Sequence, residues 1–185
     1  MGLLDRIFNR RKTSDAPHGL RSAGKKASRL TPDQLSELSD QELMIALQAR
    51  IESDAGSNDP AEQAATLEGP AKDFFILSRF HREIFQGGLC QFFVHSSRSL
   101  APMVSDALKR IGAEDYAALY DHFIQRHRID PSDLDSFIID NLGEYEGQAA
   151  RYPFDDFDGA YYRLSQDQSL PDHLLQFARS HITQM

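Results

Sequence analysis

Ala71-Lys72-Asp73-Phe74-Phe75-Ile76-Leu77-Ser78-Arg79-Phe80-His81-Arg82-Glu83-Ile84-Phe85-Gln86-Gly87-Gly88 is the stretch on which the fold turns. At 100° per residue, Phe74, Ile76, Leu77, Phe80, Ile84 and Phe85 fall on one broad arc, opposite Arg79 and Arg82. That pattern predicts a central core helix. Gly87-Gly88 ends it, because a helix C-terminus commonly needs a residue with positive φ, which glycine supplies without steric cost. His81 sits within the apolar arc. The next segment, Leu89 to Ser97 with Phe92, Phe93 and Val94, is too apolar for a solvated loop and is read as a further helix.

Working outward, proline and cap signals divide the rest of the chain into helices. Thr31-Pro32-Asp33-Gln34 forms a capping box with proline at the first helical position. It opens a helix running through Leu35, Leu38, Leu43, Ala46, Leu47 and Ile51 to Asp54-Ala55-Gly56-Ser57-Asn58. Asp59-Pro60-Ala61-Glu62 restarts a helix by the same chemistry, with a break at Gly69-Pro70. Beyond Pro102, the spacing of Val104, Ala107, Leu108 and Ile111, then of Tyr116, Leu119, Tyr120 and Phe123, predicts two helices joined at Gly112 and packed as a hairpin. Asp130-Pro131-Ser132-Asp133 reads as another start, leading a helix through Leu134, Phe137 and Ile138 to Asn141-Leu142-Gly143. Pro171 leads the last one, with Leu174, Leu175, Phe177, Ala178 and Ile182. No alternating strand pattern is sustained, so the expected class is all-α.

Charge splits the chain more sharply than hydropathy does. Residues 1–30 carry eight Lys/Arg against two Asp, whereas residues 31–185 carry twelve against 26 Asp/Glu, within a total of −8. The expected organisation is a basic arm over residues 1–30 and a single helical acidic domain over residues 31–185. In the arm, Leu3, Leu4, Ile7 and Phe8 at helical spacing beside Arg6, Arg10, Arg11 and Lys12 suit a short amphipathic foot. Thr13 to Ser28 reads as a flexible linker. Residues 2–12 would give weak contact with an anionic membrane surface, at ~1 kcal/mol per cation. The single cysteine, Cys90, fits a reducing cytoplasm, with the arm allowing a peripheral place at the inner membrane. No run approaches a membrane span, and the N-terminus lacks the apolar core of a secretory signal.

Few residues suggest chemistry. His81 is more readily a core histidine bonded to a neighbour than a general base. His122 and His127 share no helix face, so they make no metal pair. Asp155, Asp156 and Asp158 lack the spacing and distal Glu of a calcium loop. Cys90 among aromatic residues reads as buried and inert. No phosphate loop or nucleophile elbow is present, so neither catalytic residues, nor a metal, nor a cofactor is expected.

Leu77 to Ser96 carries a resemblance. Gly87, Gly88, Gln91, Phe92, Phe93 and Ser96 match the pattern of a bacterial family best known for the C-terminal domain of a DNA-mimic protein. Ala107-Leu108, Ile111-Gly112-Ala113 and Phe157-Asp158-Gly159-Ala160-Tyr161-Tyr162 are similar to it as well, so the resemblance spans roughly residues 72–185. Gln86 and His95 depart from it, standing where the family usually has Asn. The resemblance implies an all-helical protein that binds a basic DNA-binding protein or transcription regulator through an acidic face, with pairing as a homodimer.

A mimic must offer carboxylates at a density comparable with duplex DNA, which presents one negative charge per ~1.7 Å of axis. Asp130, Asp133, Asp135, Asp140, Glu144, Glu146, Asp155, Asp156 and Asp158 are the residues available for that partner-binding role. Such a body would not itself bind nucleic acid. The plainer reading is that these are caps and solvated helix faces that keep an acidic protein in solution. The alternatives to an acidic binding protein are a membrane-surface adaptor working through the arm, and an enzyme whose best candidate is His81.

Overall fold

The structure, a computed structural model, describes residues 30–53 and 59–185. The amphipathic foot at residues 2–12 and the linker at 13–28 lie outside the described residues. Among those that are described there are nine α-helices, three short 3-10 turns and no strand, so the fold is all-α. The chain divides into two compact units, at Asp54/Ala55.

In the first unit, α1 (Pro32–Ser36) starts at the Thr31 capping box, whose side chain accepts from the Gln34 N–H while the Gln34 side chain accepts from the Thr31 N–H. The single long helix expected here is broken. The chain turns at Glu37–Ser39 and begins again as α2 (Asp40–Ser53). The cause is a second box, Ser39-Asp40-Gln41-Glu42: the Ser39 N–H and hydroxyl both donate to Glu42, at 3.1 and 2.6 Å. Leu35, Leu43, Leu47 and Ile51 are buried.

In the second unit, α3 (Pro60–Ala65) is capped by Asp59, which accepts from the Ala61 and Glu62 N–H groups. Then follow α4 (Gly69–Val94), a 3-10 turn at Ser96–Leu100, α5 (Ala101–Arg110) and α6 (Glu114–His127). Helix α4 is the hub against which α3, α5, α8 and α9 pack. It is two helical stretches joined at a kink, because Gly87 (φ −168°, ψ 20°) and Gly88 (φ 77°, ψ −176°) leave helical geometry. Helices α5 and α6 pack together across Gly112, whose φ is +76°. The Tyr120 hydroxyl donates to the Ala101 carbonyl at 3.1 Å. Arg110 clamps the buried Asp73 with two hydrogen bonds of 2.8 and 2.7 Å, tying α5 to α4.

The helix expected from Asp130 is absent. Asp130 closes a tight turn instead, accepting from the Ser132 N–H at 2.8 Å, and only Asp135–Phe137 makes a 3-10 turn. The helix lies one segment later, as α7 (Leu142–Arg151), because Asn141 and Glu144 cap each other: the Glu144 N–H donates to Asn141 Oδ1 and the Asn141 amide donates to Glu144 Oε1. Two more helices close the fold. In α8 (Phe154–Asp167), Phe154, Phe157 and Tyr161 are buried. In α9 (Leu170–Ser180), Ser169 and Asp172 form a capping box that spans Pro171.

The core is aromatic. Phe80 meets Phe92, Tyr120 and Tyr161 edge-on at 5.1, 5.7 and 6.2 Å between ring centroids. Phe93, Phe137 and Phe154 form a second cluster, and Phe123 bridges to Phe154 and Phe157. Edge-to-face pairs of this kind contribute about 0.5–1.5 kcal/mol each beyond the area they bury.

Candidate partner-binding surface

The signature stretch builds an internal scaffold. Glu83, on the last turns before the kink, is buried, yet its carboxylate is fully engaged. The Gln91 amide donates to Oε2 at 2.7 Å, His95 Nδ1 lies 2.9 Å from the same oxygen, and the Ser97 hydroxyl donates to Oε1 at 3.1 Å. Burial works to raise the Glu83 pKa, but the bond and charge of His95, with the bonds from Gln91 and Ser97, outweigh it and hold the group below the usual carboxylate range. Glu83 therefore fastens the stretch before the kink to the stretch after it. His95 thus has a structural use, as does Gln91; of the two neighbouring serines, Ser97 rather than Ser96 takes part.

The kink has a partner on another helix. Asp158 on α8 reaches over Gly88, and its Oδ1 accepts the Leu89 N–H at 2.9 Å, capping the second stretch of α4 from outside. The approach is so close that a Cβ on Gly88 would stand 2.0 Å from Asp158 Oδ2, and one on Gly87 would stand 2.1 Å from the Gln91 amide oxygen. Burial, offset in part by the Leu89 N–H and reinforced by the charge of Asp155, pushes the Asp158 pKa up to about 6.

His81, the one residue offered for catalysis, is engaged by a core neighbour. His81 Nδ1 shares a 2.8 Å hydrogen bond with the Tyr161 hydroxyl, and burial holds the imidazole below its ordinary pKa. Tyr161 is buried, and its hydroxyl lies well above its usual range for the same reason. Burial and then the charge of Asp158 push the Cys90 thiol up to about 12, which leaves no thiolate at neutral pH.

Of the nine carboxylates singled out in the sequence, Asp130, Asp133, Asp135, Asp140, Glu144, Glu146, Asp155 and Asp156 are exposed. Asp158 stands apart from them, turned inward to the kink. Among the described residues no lysine or arginine forms an ion pair with any of the nine, and Arg151, which could have neutralised them, lies over the Tyr152 ring at 5.4 Å. The elements that carry the eight are tied together. Phe137, from the 129–141 loop, packs on Tyr152 and Phe154 at 5.9 and 6.5 Å, which places the loop beside the start of α8. The Gln148 amide of α7 donates to the Ser136 carbonyl. No sequence signal marked Glu83, whose partners lie across the kink, or Tyr145 on α7, whose side chain is hydrogen-bonded to Cys90 on α4.

Exposed apolar side chains are the other feature that the sequence did not suggest. Phe85, placed on the core arc by its periodicity, is 80% exposed, and Tyr162 on α8 is 63% exposed. Phe85 lies at the edge of the arc, and the core is already filled by Phe80 and Ile84. Ile138, expected within a buried helix face, is also exposed, because the loop presents Phe137 and Ile139 inward instead.

The family model described as DMP19-like protein matches residues 65–181, well over half of the chain. The chain belongs to the DMP19-like family. The match begins at the end of α3 and covers α4 to α9, so it takes in the Glu83 network, the double-glycine kink and the whole acidic segment. Comparison with curated proteins and with solved structures gives no match.

Proposed function

We propose that this DMP19-like chain is a non-enzymatic acidic binding protein that acts as a DNA mimic and engages a basic DNA-binding protein in the cytoplasm. The observation that carries the reading is the set of eight exposed carboxylates between Asp130 and Asp156, without ion-pair partners among the described residues. Membership of a family described by a DNA-mimic protein supports it. Unpaired surface carboxylates keep their full field, and a cluster on adjoining elements attracts a cationic surface at long range. Asp158 has no part in this charge; it holds α8, and so Asp155 and Asp156, against the kink.

The test uses the full chain immobilised and challenged with the basic proteins that elute from a DNA column. Binding is expected to fall steeply between low salt and about 0.5 M, because screening weakens exposed charge pairs. Duplex DNA should release the bound protein, and the triple substitution D130N/D133N/D135N should weaken capture. Capture indifferent to salt, to DNA and to the triple substitution would overturn the proposal.

A further inference from the structure

Helix α7 lies between two anchored points. Before it, Ile139 is buried. After it, the Tyr152 ring is held by Phe137, Phe154 and His127, at 5.9, 5.7 and 5.8 Å between centroids. None of the ten residues from Leu142 to Arg151 is buried, and only Tyr145, Gln148 and Ala149 are partly covered. Their spacing of three and four residues makes one narrow stripe, the face that α7 sets on the body of the fold. Two hydrogen bonds leave that stripe: Tyr145 bonds through its hydroxyl with the Cys90 thiol on α4, and the Gln148 amide donates to the Ser136 carbonyl. The docked position of Gln148 is poorly satisfied, because its Oε1 is buried without a hydrogen-bond partner among the described residues. A stranded acceptor that water would satisfy weighs against the docked state. Gly143 and Gly147 fall within the ten residues, and a helix this short has little stability of its own.

We propose that α7 is a strap that melts and lifts from the body of the fold as a unit, with the Tyr145–Cys90 contact as its catch, while the helices beneath stay closed. A segment that buries little surface opens at a free energy well below that of the whole fold. What remains is held independently of the strap: Phe80 on α4 meets Tyr161 on α8, and Asp158 keeps its bond to the Leu89 N–H. Opening uncovers Cys90, which is 3% exposed in the closed fold. It also carries Glu144 and Glu146 away from Asp155 and Asp156, so the open and closed chains present differently spaced charge. The inference goes beyond the proposed function and does not depend on which partner reads that charge.

The experiment follows labelling of Cys90, the one cysteine of the chain, by a thiol reagent at pH 8 and at urea concentrations below the unfolding transition. Labelling is expected to be slow and almost independent of urea, because lifting the strap exposes little surface. Access by global unfolding would instead accelerate with the full urea slope seen by circular dichroism. Tyr145→Phe, which removes the catch, should speed labelling about two- to tenfold, the worth of one net hydrogen bond. Gly147→Ala should slow it about two- to fivefold, since the added methyl meets nothing within 4 Å and favours the helix. In hydrogen exchange, Tyr145 to Arg151 should show less protection than α4 and α8. Labelling that carries the full urea slope, or that never occurs short of unfolding, overturns the strap. So does urea-independent labelling that either variant leaves unchanged, because Cys90 would then be reached without α7 melting from its catch.

Discussion

Gly88→Ala is the substitution that bears hardest on the scaffold. Gly88 has φ 77° and ψ −176°, a region that side chains essentially never enter, and forcing one in costs about 1–3 kcal/mol. The added methyl would also stand 2.0 Å from Asp158 Oδ2, so the carboxylate must move. Moving it leaves the Leu89 N–H without its acceptor, a further loss of about 1–3 kcal/mol if that group stays buried. These costs overlap, and the expected loss is roughly 3–5 kcal/mol, with a melting temperature lower by about 10–20 °C for a unit of this size. Thermal unfolding by circular dichroism measures it, and Asp158→Ala completes a double-mutant cycle. In that background the clash is gone and only the backbone strain remains, so Gly88→Ala should cost about 1–3 kcal/mol there. A parent-like melting point for Gly88→Ala, or strictly additive effects in the cycle, would refute the account of the kink.

Three further outcomes follow from the same contacts. Because the folded pKa of Asp158 is raised to about 6, the native state holds this proton more tightly than the unfolded chain; stability should therefore decline as pH rises from about 4 to about 6 and then level off. Discounted for partial exposure, that contribution is about 1–2 kcal/mol, and Asp158→Asn, which keeps an acceptor for Leu89, should flatten it in urea titrations at each pH. Glu83→Ala strands the donors of Gln91, His95 and Ser97 and should cost about 3–5 kcal/mol by denaturant unfolding, against a smaller loss for Glu83→Gln; equal losses would deny the network its role. Cys90 should resist a thiol reagent in native buffer at pH 8 and react fully in denaturant, whereas rapid native labelling would contradict a buried thiol with a pKa of about 12.

The helical class, the Gly87-Gly88 break, the α5–α6 hairpin and the last helix were legible in the sequence because local chemistry specifies them. Apolar periodicity marks a buried face, and Pro with Thr, Asp or Ser marks a start. The same chemistry misplaced α7. Asp-Pro-Ser-Asp serves equally as a tight turn, and the Asn141–Glu144 pair that caps the true helix does not follow a proline. Ser39–Glu42, inside an apparently continuous apolar pattern, split α1 from α2 for a similar reason. Of the candidate surface, the acidic segment was plain from charge counting alone. Its inward-facing member was not, because Asp158 is withdrawn by a contact with a backbone N–H 69 residues away in the chain. Likewise Phe85 has core periodicity, and only its position at the edge of a full core exposes it.

Helix α7 has no buried residue along its ten positions, and a Cβ on its Gly147 would meet nothing within 4 Å. Glu144, Tyr145 and Gln148 tie the helix down through the cap, Cys90 and the Ser136 carbonyl, and the exposed positions between them, Glu146 among them, carry no such contact. The helix is thus a keyboard in which only some keys move: the charge offered at Glu146 can be changed while the instrument stays in tune, whereas Glu144 is also one of its pegs.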